Sequence, residues 1–314
     1  MKKDILISSR SFGKVNSEAV NLLKKEGFKV IVNEEGKKLT ENKILKIIDN
    51  NNIVGIIAGT EKISKKIIDS AKDLSVISRY GVGLDNVDLK YAEKKNILVF
   101  NTPEAPSISV AELTLTMILN LIKKINKLDK KLKDGNWHPE LGYLLSNKTI
   151  GILGLGRIGK KLVEFLFPFN VNILVYDTKP DNLFISKWNL KKVSFERLIK
   201  ESDVISLHLP LSEKTKYLID KKELSMMKKN AILINTSRGG IVNEEALYNS
   251  LKNDQIYGAA IDAFENEPDI GKLKNIDNII LTPHIGTFTV ETRKDMEIES
   301  VNNLIGGLKK RGIL

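Results

Sequence analysis

The chain of 314 residues contains no cysteine, only three histidines and no long apolar run. The absence of cysteine excludes disulfide bonds and thiolate chemistry, and it leaves His138, His208 and His284 as the only imidazoles available as bases or metal ligands. No segment approaches the roughly 20 apolar residues that a transmembrane helix requires. The basic start lacks the long apolar region of a signal peptide. We therefore expect a cytoplasmic protein, and we predict no metal site.

Arginine is also scarce. Of the 50 basic residues only seven are arginine, and the net charge of +11 comes from lysines that are mixed with Asp and Glu along the chain. No run of five like charges occurs, and basic residues do not alternate with aromatic ones, so the sequence does not favour nucleic-acid or membrane binding. A solvated, lysine-rich surface with a mild attraction for small anions is the simpler interpretation.

Two series of short segments rich in Ile and Val alternate with amphipathic stretches. Near-continuous apolar segments of this length are typical of parallel strands that are covered on both faces and connected by helices. The first series predicts five strands and the second predicts six, at residues 4–8, 28–32, 53–58, 75–78, 97–100, then 149–153, 172–176, 204–209, 231–236, 258–262 and 278–282. The pattern predicts an α/β protein with two doubly wound parallel-sheet domains.

The longest predicted helix lies between the two series, at about 107–133. Pro106 gives a start signal, and Ser109 with Glu112 has the spacing of a capping box. Because the apolar side of this helix is broad, we expect it to be buried partly against another subunit.

The last predicted helix, at about 287–310, determines the predicted domain boundaries. It follows the sixth strand of the second series and precedes no further strand, so we expect it to return to the first domain. The prediction is a discontinuous domain, residues 1–100 plus 287–314, interrupted by a continuous domain, residues 101–286.

A glycine-rich loop follows the first strand of the second series. Gly154, Gly156 and Gly159 have the GxGxxG spacing between a strand and a helix, and Asp177 ends the next strand. In a dinucleotide site the first glycine permits a tight turn, the second lets the pyrophosphate approach the backbone, and the third lets helix and strand pack closely. An acid at Asp177 would hydrogen-bond the adenosine ribose and repel the extra phosphate of NADP. The alternative is a glycine turn that binds nothing.

Seven motifs, in order along nearly the whole chain, resemble the D-2-hydroxyacid dehydrogenase family, and phosphoglycerate dehydrogenases within it. They are SRYGVGLDNVDL (78–89), SVAELTLTMIL (109–119), GLGRIG (154–159), LHLPLSEKT (207–215), LINTSRGGIVNEEAL (233–247), AAIDAFENEP (259–268) and LTPHIG (281–286). The resemblance implies a Rossmann NAD-binding domain at 101–286 and a flavodoxin-like substrate domain. It also implies NAD as the cofactor and hydride transfer between NAD(H) and a D-2-hydroxy acid/2-keto acid pair.

The resemblance also assigns residues to the site. It implies Arg238, Glu267 and His284 as the catalytic set. It implies that the dinucleotide contacts residues of several loops, namely Gly154, Gly156, Arg157, Ile158, Gly159, Asp177, His208, Leu209, Pro210, Thr236, Ser237, Asp262 and Gly286.

The chemistry of the catalytic set agrees with this assignment. His284 suits a general acid or base because an imidazole titrates near neutral pH, and Glu267 behind it would orient the ring and favour its protonated form. Arg238 suits the substrate carboxylate because a guanidinium offers two parallel hydrogen bonds that lysine cannot. The alternatives are a solvated loop histidine and an arginine that only ends a strand.

Four residues of the first domain are candidates for substrate binding. Val82 and Gly83 lie in a glycine-rich turn whose backbone N–H groups suit the substrate carboxylate, although it could be a plain turn. Arg10 and Arg79 each follow a predicted strand and suit a second anion on the substrate, a phosphate or a distal carboxylate. In the alternative, Arg79 pairs with Asp85 and Arg10 is solvated.

Two departures from the phosphoglycerate dehydrogenases leave the substrate open. Those enzymes often carry an arginine near the end of the third strand, and this chain has none between Arg10 and Arg79. It also ends at Leu314, without the length for a C-terminal regulatory domain. A glyoxylate or hydroxypyruvate reductase, a dinucleotide-sensing protein similar to a corepressor, and a formate or phosphite dehydrogenase are the alternatives. Formate enzymes place a glutamine at the position of Glu267, which disfavours the last.

Overall fold

A computed structural model describes residues 3–15 and 17–314, and the chain divides into two compact units. The first unit consists of Met1–Pro106 and Phe288–Leu314, and the second of Ser107–Thr287. The sequence analysis set the corresponding boundaries after residues 100 and 286. Within the described residues, no helix combines the length and apolar character needed to cross a membrane.

The first unit is built on a five-stranded parallel sheet with the strand order β2-β1-β3-β4-β5. This is the flavodoxin-like order of a doubly wound sheet. Its elements are β1 Asp4–Ile7, α1 Glu18–Lys25, β2 Lys29–Val32, α2 Glu41–Asp49, β3 Ile53–Ala58, α3 Lys65–Ser70, β4 Val76–Arg79, α4 Leu89–Lys94 and β5 Leu98–Phe100. All six residues of β3 are buried, because both faces of this central strand are covered.

The second unit is built on a seven-stranded parallel sheet with the order β12-β11-β10-β9-β6-β7-β8. Counted from β6, this is the 3-2-1-4-5-6 order of a Rossmann fold with one strand added. Its elements are α5 Pro106–Lys123, α6 Ile125–Lys133, β6 Thr149–Leu153, α7 Arg157–Leu166, β7 Asn172–Tyr176, α8 Asn182–Lys187, β8 Lys191–Lys192, α9 Phe195–Glu201, β9 Val204–Leu207, α10 Lys221–Met226, β10 Ile232–Asn235, α11 Glu244–Lys252, β11 Gly258–Ile261 and β12 Ile279–Leu281. Short 3-10 helices occupy Phe167–Phe169 and Gly271–Asn275.

The last helix, α12 Val290–Lys310, packs on the sheet of the first unit. Two glycines allow the close approach. A Cβ atom at Gly55 would lie 2.9 Å from Leu304 Cδ1, and one at Gly307 would lie 2.8 Å from Phe100 Cε2 and 2.9 Å from Val76 Cγ1. The helix begins after Thr289, whose hydroxyl accepts the N–H of Thr292 at 3.2 Å.

The prediction of one helix over 107–133 is wrong. Lys124 has a left-handed backbone (φ +58°), and the helix is divided there into α5 and α6. The carbonyl of Ile122 accepts the N–H of Tyr143 at 2.8 Å, and the N–H of Asn126 donates to the Asn120 side chain at 3.0 Å. The helical hydrogen bond between Ile122 and Asn126 is thereby replaced.

The predicted capping box is also wrong. Ser109 lies inside α5, which begins at Pro106, and its hydroxyl donates to the carbonyl of Gly286 at 2.5 Å. This contact connects α5 to the loop that follows β12.

Candidate active site

The glycine loop joins β6 to α7, and two of its three glycines have a steric reason, while the third borders open space. Gly154 has φ +95°, and a Cβ there would collide with the carbonyl oxygen of His208. A Cβ at Gly159 would collide with the carbonyl oxygen of Gly154. Gly156 precedes α7, and a Cβ there would meet no atom within 4 Å. The loop therefore leaves open space at the N-terminus of α7, where a pyrophosphate fits the exposed N–H groups and the helix dipole.

Asp177 follows β7 and stabilises the glycine loop. Its Oδ2 accepts the N–H of Leu155 at 2.7 Å, and its Oδ1 accepts the N–H of Lys179 at 2.7 Å. Each carboxylate oxygen has a second lone pair, so the half-buried side chain retains acceptors for a pair of ribose hydroxyls. The loop and this acid together fit a dinucleotide.

His208, Leu209 and Pro210 follow β9 directly and lie beside the glycine loop. The Nε2 atom of His208 lies 2.9 Å from the hydroxyl of Ser206, and the backbone N–H of His208 donates to the carbonyl of Leu153 at 2.8 Å. Burial lowers the pKa of His208 to about 4, so the ring is neutral at pH 7. The side chain of His208 is partly buried, and a neutral ring does not suit a proton donor at pH 7, while His138 lies exposed in a loop.

Arg238 lies in a turn that begins at the end of β10. The side chain of Asn235, the last residue of β10, accepts the N–H and the hydroxyl of Ser237 at 3.1 and 2.7 Å, and its Nδ2 donates to the carbonyl of Arg238 at 2.9 Å. A Cβ at Gly239 would collide with the carbonyl of Phe264, so the turn packs closely on the loop after β11. The turn is thus fixed on both sides of Arg238. Thr236 contacts the hydroxyl of Thr114 at 2.8 Å.

His284 and Glu267 form a direct pair. The Nδ1 atom of His284 lies 2.7 Å from Oε1 of Glu267, and both side chains are partly exposed, at 38% and 40%. Since Nδ1 faces the carboxylate, the other ring nitrogen, Nε2, is the one left to exchange a proton with a ligand. His284 also has a left-handed backbone (φ +54°), a conformation that non-glycine residues adopt mainly where the surroundings impose it.

Asp262 imposes that conformation. It is 1% exposed, and its Oδ1 accepts the Ile285 N–H at 2.7 Å and the Thr282 hydroxyl at 2.6 Å. Its Oδ2 accepts the Gly286 N–H at 2.9 Å. All three bonds go to the loop that carries His284, so Asp262 holds the loop in place; any contact of Asp262 or Gly286 with a dinucleotide stays a prediction.

The candidate residues of the first unit lie at the carboxyl ends of its strands. Arg79 ends β4, and its Nη1 donates to the carbonyl of Tyr80. The carbonyl of Val82 accepts the Nδ2 of Asn101 at 2.7 Å, and in the described part of the chain the N–H groups of Val82 and Gly83 donate to no other group. Two such donors in one turn suit a carboxylate. Arg10 is exposed in the loop after β1.

The second unit brings its candidate residues to one sheet edge. Arg238, Glu267 and His284 follow β10, β11 and β12, which are neighbours in the sheet, while the glycine loop, Asp177 and His208 follow β6, β7 and β9. Ligands bind at this edge in open α/β sheets. The supporting residues Asn235, Thr114 and Thr282 are not among those predicted from the sequence. Asn235 was detectable, because Asn at a strand end commonly accepts backbone N–H groups two residues ahead.

Comparison with known proteins agrees with this geometry. Residues 115–286 match the family model described as D-isomer specific 2-hydroxyacid dehydrogenase, NAD binding domain. A hydroxypyruvate reductase of Thermotoga maritima is 36% identical over 90% of this chain and 94% of its own length. A D-3-phosphoglycerate dehydrogenase of Methanocaldococcus jannaschii is 40% identical over 82% of this chain but only 49% of its own length.

A solved structure shares the whole architecture. The TT0316 protein from Thermus thermophilus superimposes with a TM-score of 0.89 at 33% identity, over 98% of this chain and 97% of the other. The predictions of an α/β fold with two parallel-sheet domains and of NAD as the cofactor are confirmed. With the glycine loop, Asp177 and the His284–Glu267 pair in these places, the chain belongs to the D-2-hydroxyacid dehydrogenases, a family of NAD-dependent oxidoreductases.

Proposed function

We propose that this protein interconverts an acidic 2-keto acid and its D-2-hydroxy acid, with 3-phosphohydroxypyruvate and 3-phosphoglycerate as the leading pair. The observation that supports the reaction most strongly is the 2.7 Å contact between His284 and Glu267. These residues follow β12 and β11, at the same sheet edge as Arg238, which follows β10. A hydroxypyruvate or glyoxylate reductase is the second candidate, favoured by the hydroxypyruvate reductase that is similar over nearly its full length.

In the direction of reduction, Arg238 holds the substrate carboxylate through two parallel hydrogen bonds. His284, protonated at Nε2, donates its proton to the keto oxygen as the carbonyl carbon is reduced. Glu267 accepts the Nδ1–H, which orients the ring and stabilises its protonated form until the proton is transferred. Bound NADH supplies the hydride. In the reverse direction the neutral imidazole removes the hydroxyl proton.

The dinucleotide is proposed to be NAD rather than NADP. Asp177 carries a negative charge at the end of β7, where a dinucleotide of this fold places its adenosine ribose. The charge repels a 2′-phosphate, and the two oxygens accept hydrogen bonds from the ribose hydroxyls. Arg157, Ile158, Leu209, Pro210, Thr236 and Ser237 are proposed as further contacts.

We also propose a homodimer. In the second unit, α6 and the loop after it expose large apolar side chains, with Trp137 82% and Leu141 93% exposed, besides Ile125, Leu132 and Leu144. Apolar surface concentrated in one segment is typical of an interface between copies of a chain.

Turnover of 2-oxo acids tests the proposed reaction. We expect NADH oxidation with at least one of 3-phosphohydroxypyruvate, 2-oxoglutarate, hydroxypyruvate, glyoxylate and pyruvate, and the highest kcat/KM with an acid that carries a second anion. Tight NADH binding without turnover of any 2-oxo acid would instead support a dinucleotide-sensing protein. A neutral-tailed acid preferred by tenfold or more would support the second candidate.

A further inference from the structure

An arginine that the sequence analysis did not select lies at the substrate side of the first unit. Arg293, in the first turns of α12, is only 9% exposed. Its guanidinium carbon lies 4.7 Å from the ring centroid of Tyr80 and 4.2 Å from that of Phe288. A guanidinium stacked between two aromatic rings has a fixed orientation, because both of its flat faces are occupied and only its edges remain for hydrogen bonds.

The neighbours of Arg293 place it at the carboxyl edge of the five-stranded sheet. Its Nη2 donates to the hydroxyl of Ser11, in the loop that follows β1, and Tyr80 follows β4 directly. Arg10 precedes Ser11 and is exposed. This is the edge at which an open α/β sheet binds its ligand.

Arg10 and Arg293 are two positive charges in one place. Ser11, whose hydroxyl accepts a hydrogen bond from Arg293, directly follows Arg10, so the loop after β1 brings the two cationic residues to the same edge of the sheet. Burial lowers the pKa of Arg293, Tyr80 and Glu297 raise it, and the charge of Arg10 lowers it. An arginine stays protonated at neutral pH, so both residues carry a positive charge that a bound anion could contact.

One buried acid lies close to Arg293, and its charge raises the pKa of that arginine. Glu297, one turn further along α12, is fully buried, and its Oε1 accepts the N–H of Gly13 at 2.9 Å and lies 3.4 Å from the hydroxyl of Tyr80. In the described part of the chain no carboxylate forms an ion pair with Arg10 or Arg293. Burial raises the pKa of Glu297, while the Gly13 N–H and the charge of Arg293 lower it.

Arg79 is oriented differently from Arg293. Its Nη1 donates to the carbonyl of the next residue, and its guanidinium fills the space in which Gly81 has no side chain. Gly81 has φ +140°, and its N–H donates to the Thr102 hydroxyl at 2.8 Å, so the turn over Arg79 is fixed. The guanidinium of Arg79 is therefore packed against the backbone of its own turn.

We propose that Arg293 is a specificity-determining residue and that, together with Arg10, it binds the anionic group that the substrate carries beyond its 2-oxo acid. This inference rests on the proposed function and specifies its substrate class: a phosphorylated or dicarboxylic 2-keto acid. Ser11 holds the guanidinium by one edge, and the remaining donors are left for the anion.

The test compares two substrates that differ only in the distal group. 3-Phosphohydroxypyruvate and hydroxypyruvate share the 2-oxo acid end, so the ratio of their kcat/KM values isolates the contribution of the phosphate. For Arg10→Ala and Arg293→Lys we expect this ratio to fall about 10- to 100-fold, since each variant loses a charge-assisted or bidentate contact. Reduction of hydroxypyruvate, which lacks the distal anion, should fall by a smaller factor than reduction of 3-phosphohydroxypyruvate. Arg197→Ala, at an exposed arginine of α9 paired with Glu201, is the control and should leave the ratio unchanged.

Inorganic phosphate is the second probe, and it does not depend on phosphohydroxypyruvate turnover. It should inhibit hydroxypyruvate reduction competitively, with an inhibition constant raised at least about tenfold by Arg10→Ala. Because Arg10 is exposed, this variant decides the question even if Arg293→Lys fails to fold. Unchanged ratios and inhibition constants in Arg10→Ala, or an equal loss with both substrates, would overturn the proposal while the proposed reaction stands. No turnover of any 2-oxo acid by the unmodified protein would overturn both.

Discussion

His284 combines a left-handed backbone with a carboxylate partner, and both features bear on its chemistry. For His284→Ala we expect kcat to fall by a factor on the order of 10²–10⁴, the usual contribution of general acid–base catalysis. NADH should still bind, since the glycine loop and Asp177 are separate from this residue. Titration of NADH fluorescence beside steady-state kinetics measures both quantities, with His138→Ala as the matched control on an exposed histidine. Loss of NADH binding in His284→Ala would indicate a mainly structural residue.

Substitution of Glu267 is expected to change the pH dependence of the reaction. In Glu267→Gln the protonated imidazole loses the carboxylate that lies 2.7 Å from its Nδ1 atom, so the proton-donating form of the ring loses a favourable charge interaction. We expect the pH optimum of keto-acid reduction to move downward. The pH profile of kcat/KM measures this, with Glu213→Gln as the control at an exposed acid. An unchanged profile would remove Glu267 from the mechanism.

The contact between Glu267 and His284 was predictable from the sequence because motifs carry both residues, and the catalytic roles of Arg238, Glu267 and His284 stay predictions. The residues that hold the site loops in place were harder to predict from the sequence. Asp262 was assigned to the dinucleotide, and its three hydrogen bonds to the His284 loop follow from the pairing of β11 with β12, which no local pattern encodes. Arg293 escaped notice because its neighbours, Ser11 and Tyr80, are far away in the sequence.

At the scale of elements, the end of β7 is expected to determine the cofactor, because Asp177, directly after this strand, should favour NADH over NADPH. Asp177→Ala removes both the charge that repels a 2′-phosphate and the acceptors for the ribose hydroxyls. We expect the preference for NADH over NADPH, measured as the ratio of kcat/KM values, to fall about tenfold or more. Asp129→Ala on α6 is the control at an exposed acid. Efficient use of NADPH by the unmodified protein would contradict this assignment.

Elements with a strong apolar pattern were predicted correctly, and those without one were not. All eleven predicted strands occur, because each is a short apolar segment that pairs with a neighbouring strand, although β2 and β5 are only partly buried. The additional strand β8 consists of two exposed lysines that pair with Leu174 and Val175, so it has no apolar signal. The division of α5 from α6 depends on Tyr143, which lies outside both helices. Its N–H donates to the carbonyl of Ile122, which in an unbroken helix would accept the N–H of Asn126.

For the whole molecule, the expected assembly is a homodimer that buries the exposed apolar segment of α6 and its loop. Sedimentation velocity at micromolar concentration should give about twice the monomer mass of 35.2 kDa. Leu141→Asp combined with Leu144→Asp should shift the protein towards monomer, because charges oppose burial of this surface. Leu183→Asp, at an exposed leucine of α8, is the control and should leave the assembly intact. A stable monomer of the unmodified protein would dismiss the dimer.

The two units were predictable as parallel α/β domains because two series of apolar segments are separated by one long helical stretch. The substrate was not predictable from the sequence, because it is selected by a few side chains. The fold, and not any local pattern, decides which residues surround those side chains. The position of Arg293 is one such case, since α12 brings it from the far end of the chain to Ser11 and Tyr80.

The configuration of the product tests the central claim most directly. NADH and 3-phosphohydroxypyruvate, or whichever 2-oxo acid is turned over fastest, are incubated with the protein, and the hydroxy acid is resolved by chiral chromatography. The family assignment and the proposed roles of Arg238 and His284 predict a single D-2-hydroxy acid, formed in a 1:1 ratio to the NADH consumed, and predict its loss in Arg238→Ala. An L-hydroxy acid, a racemic product, or undiminished turnover in Arg238→Ala would contradict the account.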